Sequence, residues 1–496
     1  MIIDLQGNPA APRHLEADVF IAGAGPAGIS LALELARLRP DWHIVLAEGG
    51  GSEEPTRSER DIYKLALGDK SYSVLDICRR RKLGGTSAHW GGWSKPPDTA
   101  DFMDNPNWDL PAWPFGAEEL APYLPAACQW CEISSADFDI AAVRQDNADH
   151  LLSLDEDSQL TEHLFRFSPP TRFGLRYREQ LEQQGNLSCL LHANLMNLGQ
   201  EGDRTTFAEL APLGEAVTRV AAREFVLAMG GIETTRHLLN LRGDEPADGE
   251  GIHSPHLGRY FADHFGFSPG QLLAPADLRY SRFRHETGAA MPVLTFAEAE
   301  LLGVGQNNSA IYLWAESDED SLLRHYGGLP TLGFNKGEYW HYHVKVIVEP
   351  RPNFASALSL TEDRDALGLR RAKLDWHIHE QDFASAYQLV SALGRELGAA
   401  GSGRLQISQP NTPEMRAQVT GGCHHMGTTR MAASSRDGVT DPELRVYGSA
   451  NLYIASSAVI PRYGYSNPTL TTVALAVRLA HHLAGASREV ADDQAA

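Results

Sequence analysis

Two short runs near the C-terminus hold residue types that proton transfer requires. Residues 421–431 read GGCHHMGTTRM, and YGYSNPTLT follows at 463–471. His424 offers an imidazole whose ordinary pKa lies near working pH, so it can act as a general base. Asn467 carries an amide that both donates and accepts, so it can hold an oxygen beside that base. Both residues also have a plainer reading. Asn467 precedes Pro468 at a helix start, which suits an N-cap, and His424–His425 would serve as one buried and one hydrogen-bonded histidine. Adjacent histidines make poor ligand geometry, so no metal is expected.

A second constellation lies at the other end of the chain. Gly23, Gly25 and Gly28 form G-x-G-x-x-G, with Pro26 and Ala27 inside it. The first glycine makes a tight turn, the second lets backbone N–H groups approach a pyrophosphate, and the third lets helix and strand pack closely. The context supports a ligand. The strand DVFIAGAG (18–25) runs into the loop, a helix over 26–39 leaves it and stops at Pro40, and a second strand (HIVLA, 43–47) ends at Glu48. A carboxylate there can accept both ribose hydroxyls and would repel a 2′-phosphate, which points to FAD or NAD and does not choose between them. Further on, GGTSAHWGGW surrounds His89 with small residues, among them Gly85, Thr86 and Ser87. Such a loop can lie against a flat ring system, with His89 bonding or attacking the ligand; equally, His89 and Trp90 could pack into the core.

The elements that must position these residues are legible in outline. The 496 residues suggest two or three domains. Residues 186–230 recover strand character and end in VLAMGG before a helix, IETTRHLLNL; 290–380 carry extended pieces, with a helix near 381–398; NLYIASS reads as a strand and NPTLTTVALAVRLAHHL as the last helix, after which the tail past Gly485 should fray. The fold class expected is α/β: a Rossmann-like dinucleotide domain over 1–95, 185–262 and 415–490, interrupted by a mainly antiparallel β substrate domain (α+β) and cap over 96–184 and 263–414. A net charge of −21 argues against nucleic acid and anionic membrane surfaces, and no apolar run is long enough to span a bilayer. Five cysteines, an odd and sparse count, suit a reducing compartment, and a cytoplasmic location is expected. Cys128 and Cys131 lie on an amphipathic segment and read as small buried residues.

Taken together, these motifs resemble the glucose-methanol-choline (GMC) oxidoreductase family along nearly the whole chain. The N-terminal glycines and Glu48 resemble its FAD site, VLAMGGIETTRHLL its second strand–helix, GRYFADHF (258–265) its entry to the substrate domain, and HHMGTTRM with NPTLTTVALA its C-terminal signature. The branch with pyranose oxidases, fructose and gluconate dehydrogenases and glycoside 3-oxidases is the most similar. The resemblance implies FAD as cofactor. It also implies His424, the first residue of H-x-x-G-T, as base and Asn467 as its partner, with Pro468 and Thr469 beside the cofactor. Several members attach FAD through a histidine in a G-G-x-x-x-H-W segment, which falls on His89. The implied activity is oxidation of an alcohol, on a sugar or glycoside, by hydride transfer to flavin N5. Oxygen, a quinone or a partner protein would be the electron acceptor. Trp90, Trp93, Trp314, Trp340 and Tyr339 could stack a sugar. The rival readings are a flavin monooxygenase or halogenase, which has no need of the C-terminal pair, and a flavoprotein subunit without turnover.

Overall fold

A computed structural model of the chain describes residues 1–68, 78–214, 217–315, 339–410 and 412–485. β1 (His14–Ala22) is buried without interruption from Val19 on. A parallel strand with both faces covered needs apolar side chains on each, which is why VFIA shows no alternation. The chain turns at Gly23, at φ 106°, so the strand stops one residue before the glycines rather than running through them. α1 (Pro26–Leu38) places Pro at its first position, where no N–H is needed. β2 (Ile44–Ala47) returns parallel to β1, with Ile44 opposite Val19.

β3 (Thr218–Leu227) lies parallel to β1 on its other side and feeds α2 (Gly230–Arg242). α3 (Glu380–Ala400) is the helix expected near 381–398. β4 (Leu452–Ile454) adds in parallel to the end of β3, and α4 (Pro468–Ala484) packs against α1. The first sheet runs Ile2–Asp4, Leu187–Leu191, β2, β1, β3, then the antiparallel strands Arg204–Ala211 and Asn194–Glu201. The next strand in sequence, β2, lies on one side of β1 and the distant β3 on the other, which is the doubly wound arrangement; its ligand crevice lies outside the carboxyl ends of the strands.

Among the described residues the second sheet has nine strands and is antiparallel in its main path. It runs Arg404–Ile407, Phe265–Ala274, Trp340–Val348, Ala310–Ala315, Gly288–Phe296, Leu160–Phe167 and Trp93–Ser94. Thr420–Gly421 pairs with Phe265–Gly266. Trp93–Ser94 and Thr420–Gly421 thus join this sheet although they lie in segments read as nucleotide domain. Strands of two residues carry no periodicity to read. Cys128 and Cys131 are buried in the main core, and burial pushes the Cys128 thiol up to about 12. Among the described residues no helix is long and apolar enough to cross a membrane. The tail past Gly485, read as frayed, lies outside the described residues.

One buried amide ties the meander to the C-terminal strand. Asn451 is fully buried; its Oδ1 accepts from the Thr205 N–H (2.9 Å) and its Nδ2 donates to the carbonyls of Thr205 (2.8 Å) and Arg223 (2.7 Å). Asn451→Ala would take its partner from the Thr205 N–H and carbonyl and leave the Arg223 carbonyl only a long bond from Arg204 (3.4 Å), and an unsatisfied buried group costs about 1–3 kcal/mol. A drop of roughly 3 kcal/mol in unfolding free energy is expected, read as a lower urea midpoint at unchanged slope.

Candidate active site

A single cleft runs from the carboxyl ends of β1 and β2 to the loop before α4. Its lining includes Gly23, Gly25, Glu48, Gly85, Ser87, Asn194, His424 and Thr469. At one end, the glycine spacing has a direct steric cause. A Cβ on Gly28 would sit 1.8 Å from the Gly23 carbonyl oxygen, whereas one on Gly25 would meet nothing within 4 Å. Gly25 therefore keeps space open in front of the helix start, where unpaired N–H groups and the helix dipole favour an anion. Pro26 and Ala27 line the same wall.

Glu48 is buried at the end of β2; it accepts from the Ala24 N–H (3.1 Å) and the Gly50 N–H (2.9 Å). Burial raises its carboxyl, and the Gly50 N–H works against that shift. Arg81 Nη1 and Asn194 Oδ1 are buried in this part of the cleft with no hydrogen-bond partner among the described residues. Orphaned donors and acceptors beside a phosphate-type loop and a ribose-type carboxylate fit a bound dinucleotide.

The loop of residues 84–90 lies across the phosphate loop. The Gly84 N–H donates to the Ala24 carbonyl (2.8 Å), and a Cβ on Gly85 would stand 3.1 Å from Gly25 Cα. Ser87 is buried and donates to the Gly84 carbonyl (2.6 Å), while Arg172 clamps the carbonyls of Ser87 (2.8 Å) and Trp90 (3.0 Å). Gly85, Thr86, Ser87 and Trp90 line the cleft. His89 does not: it is exposed and outside the lining. The short 3-10 turn over Gly85–Ala88 accounts for this, since it carries Ser87 inward and leaves the residue that caps it facing out.

At the far end His424 and Asn467 meet. Asn467 Nδ2 lies 3.0 Å from His424 Nε2. Asn467 does start α4, but its side chain makes no capping bond. The cap reading is thus overturned, because the amide turns to the imidazole instead. Burial, with His264 and His425 nearby, pushes the His424 imidazole well below the ordinary histidine value, so the neutral ring prevails. Pro468 and Thr469 line the cleft beside it. His425 takes another role: it stacks on Phe261 (6.0 Å between centroids) and its Nε2 lies 3.8 Å from Cys78 Sγ.

Three groups that hold this site carried no spacing signal in the sequence. Asp263 accepts the N–H groups of Cys423 (2.9 Å) and His424 (2.8 Å). His264 Nδ1 is 2.9 Å from His424 Nδ1. Arg172 pins the 84–90 loop. Asp263 and His264 stand in GRYFADHF, so an Asp-His pair ahead of a strand was the one available clue. Of the aromatics read as a stacking surface, Trp90 alone lines the cleft. Trp93 packs against Phe165, Phe167 and Tyr312, and Trp314, Tyr339 and Trp340 are exposed and not among the lining residues.

Known proteins resemble this chain in sequence and in fold. The model of the family described as GMC oxidoreductase matches residues 352–476. The chain is similar to paromamine 6′-oxidase of Streptomyces fradiae, at 26% identity over 55% of this chain and 47% of that enzyme. It is similar to the fructose dehydrogenase large subunit of Gluconobacter japonicus, at 27% identity over 53% of this chain and 47% of that subunit. The chain thus spans about half the length of these two curated relatives. A solved structure of formate oxidase superposes with a TM-score of 0.62 over 97% of this chain and all of its own, at 16% identity, which shows a shared fold.

The two glycines separate folding from binding. Gly28→Ala forces a Cβ into a carbonyl oxygen and should cost about 1–3 kcal/mol or more, seen as a lower thermal midpoint of the ligand-free protein. Gly25→Ala fills open space, so its ligand-free midpoint should match wild type while dinucleotide affinity falls. Equal midpoints for the two variants would contradict this assignment.

Proposed function

We propose that this chain, which belongs to the GMC oxidoreductase family, oxidises an alcohol group to a carbonyl, using FAD held in the cleft from Glu48 to His424. The observation that carries this reading is the Asn467–His424 contact of 3.0 Å, in which His424 lines the same cleft as the phosphate loop. A dinucleotide cradle alone would suit many enzymes; a base and an amide donor in direct contact, able to share one alcohol oxygen, suit alcohol oxidation. When bound, FAD supplies the acceptor for the hydride from the carbinol carbon.

The protein's own groups do the rest. Gly25, Glu48 and the orphaned Arg81 and Asn194 atoms bind the nucleotide. The 84–90 loop, clamped by Arg172, covers it. An alcohol that takes the place of the Asn467–His424 bond accepts a hydrogen bond from Asn467 Nδ2 and gives its hydroxyl proton to His424 Nε2. The gain is proximity plus a positioned base. A monooxygenase would leave this pair without a task. Paromamine 6′-oxidase and fructose dehydrogenase name sugar-type substrates, which supports a sugar or glycoside alcohol here. Oxygen, a quinone or a partner protein would then take the electrons. The exposure of His89 favours FAD held without a bond to that residue.

The test is anaerobic bleaching of the flavin by a panel of sugars, glycosides and simple alcohols. At least one should reduce it, and bleaching by NADPH alone would sink the reading. With that alcohol, His424→Ala should slow reduction about 10²–10⁴-fold. The acid limb of the wild-type rate should fall well under pH 6.5, because burial keeps His424 neutral down to that range and protonation removes the base. The alanine variant should lack that limb. Acid precipitation should release the yellow colour to the supernatant; colour that stays with the pellet would make His89 an anchor after all.

A further inference from the structure

The ring that faces Asn467 is also gripped at its other nitrogen, and the grip has a direction. His264 Nε2 lies 3.3 Å from the Tyr463 carbonyl oxygen, and His264 Nδ1 lies 2.9 Å from His424 Nδ1. A carbonyl only accepts, so the proton between His264 and Tyr463 belongs to His264 Nε2. His264 is 1% exposed and burial pushes its imidazole down to about 4, so near neutral pH the ring holds one proton. Its Nδ1 is therefore a bare lone pair. The bond to His424 must then be donated by His424 Nδ1, which leaves His424 Nε2 bare. Asn467 Nδ2, a donor, faces that nitrogen at 3.0 Å. Every contact in the chain from Asn467 to Tyr463 thus has a donor facing an acceptor, and reversing any one of them would set two donors or two acceptors against each other.

We propose that His264 is a positioning residue that fixes the tautomer of His424, keeping its proton on Nδ1 so that Nε2 is free to take the substrate's proton. This rests on the alcohol-oxidising reading for its consequence, but the tautomer itself does not. The covalent bookkeeping is simple: the hydroxyl proton moves to His424 Nε2, His424 Nδ1–H stays bonded to His264, and His264 neither gains nor loses a proton. Loss of the acceptor at 264 frees His424 to place its single proton on Nε2, where it blocks the base and opposes the Asn467 amide. A comparable tautomer error in a histidine base costs on the order of 10⁴ in rate.

The experiment uses the full chain with FAD bound and two variants. His264→Leu keeps apolar volume and removes the acceptor; His264→Asn puts a carbonyl oxygen where Nδ1 stood. ¹⁵N NMR of histidine-labelled protein, with the His424 signals assigned by their loss in His424→Ala, reads the tautomer without any turnover. Wild type and His264→Asn should show His424 with a protonated Nδ1 and a bare Nε2, and His264→Leu should shift the proton to Nε2. With an alcohol that bleaches the flavin, His264→Leu should reduce it about 10²–10⁴-fold more slowly at a little-changed substrate Kd, and His264→Asn should recover most of the loss. A wild-type signal with Nε2 protonated overturns the proposal, even where the leucine variant does not fold. So does a folded His264→Leu that keeps the wild-type tautomer and rate. If no alcohol bleaches the flavin, the functional reading fails, and the NMR arm still decides the tautomer.

Discussion

An imidazole that is to act as a base in a cleft must be held at both its backbone and its ring, because a ring free to turn would spend its lone pair on the nearest donor. One dipeptide supplies both holds. The Asp263 carboxylate takes the N–H groups of Cys423 and His424, the His264 carbonyl takes the N–H of Gly422 (2.7 Å), and the His264 ring meets the His424 ring. Cys423 sits at φ 60°, a conformation that side-chain-bearing residues avoid. Two N–H groups given to one buried carboxylate are charge-assisted bonds, strong enough to keep that turn in place. The dipeptide immediately precedes Phe265–Ala274, a strand of the second sheet whose start pairs with Thr420–Gly421. The second sheet therefore sets the position of His424.

The partner amide is held from the same side. Glu349, at the end of Trp340–Val348, accepts the Gly464 N–H (2.9 Å), and Ser466 donates to the Pro96 carbonyl (3.0 Å). Arg462 is 2% exposed, donates to the Ala100 carbonyl (2.7 Å) and lies 3.5 Å from Glu349. Beneath this loop, Asp101 is pushed up to about 7 by burial and by the nearby Asp98 and Glu349 carboxylates. Asp98 is partly buried, and Lys95 and His163 hold its carboxyl well below the usual range. Carboxylates packed this closely stay buried only by sharing cations and backbone donors, so the loop before α4 has little freedom to move.

Much of the fold was legible because periodicity and punctuation report local structure. VFIA followed by glycines and Pro26, HIVLA ending in Glu48, and NPTLTTVALA each announced an element whose bounds the structure moves by only a few residues. The short strands Trp93–Ser94 and Thr420–Gly421 were not legible, for they form only because longer strands offer an edge. In the site, His424 and Asn467 were visible as residue types, yet their residue spacing left a cap and a structural histidine equally open. What separates those readings is a contact between residues 43 positions apart. His264 is farther still, 160 positions from the ring it meets, and no spacing rule links them. His89 shows the converse: its neighbours are placed as their small size suggests, but whether a side chain in a one-turn helix points in or out depends on a single residue of register.

The two ends of the chain meet through helices rather than through the loops alone. α1 and α4 pack together, and both begin at the cleft, α1 behind Gly25 and α4 behind Asn467. Each starts with Pro at its first turn and lacks a side-chain cap, so N–H groups at both starts face the cleft instead of a capping oxygen. The open space at Gly25 leaves room for the pyrophosphate of the proposed FAD in front of the first. The second brings the positive end of a helix to the place where Asn467 and His424 meet, which favours negative charge there and disfavours a second proton on the imidazole. Packing one helix against the other fixes the distance between Gly25 and Asn467, so the separation that the proposed chemistry needs is set by the apolar faces of α1 and α4.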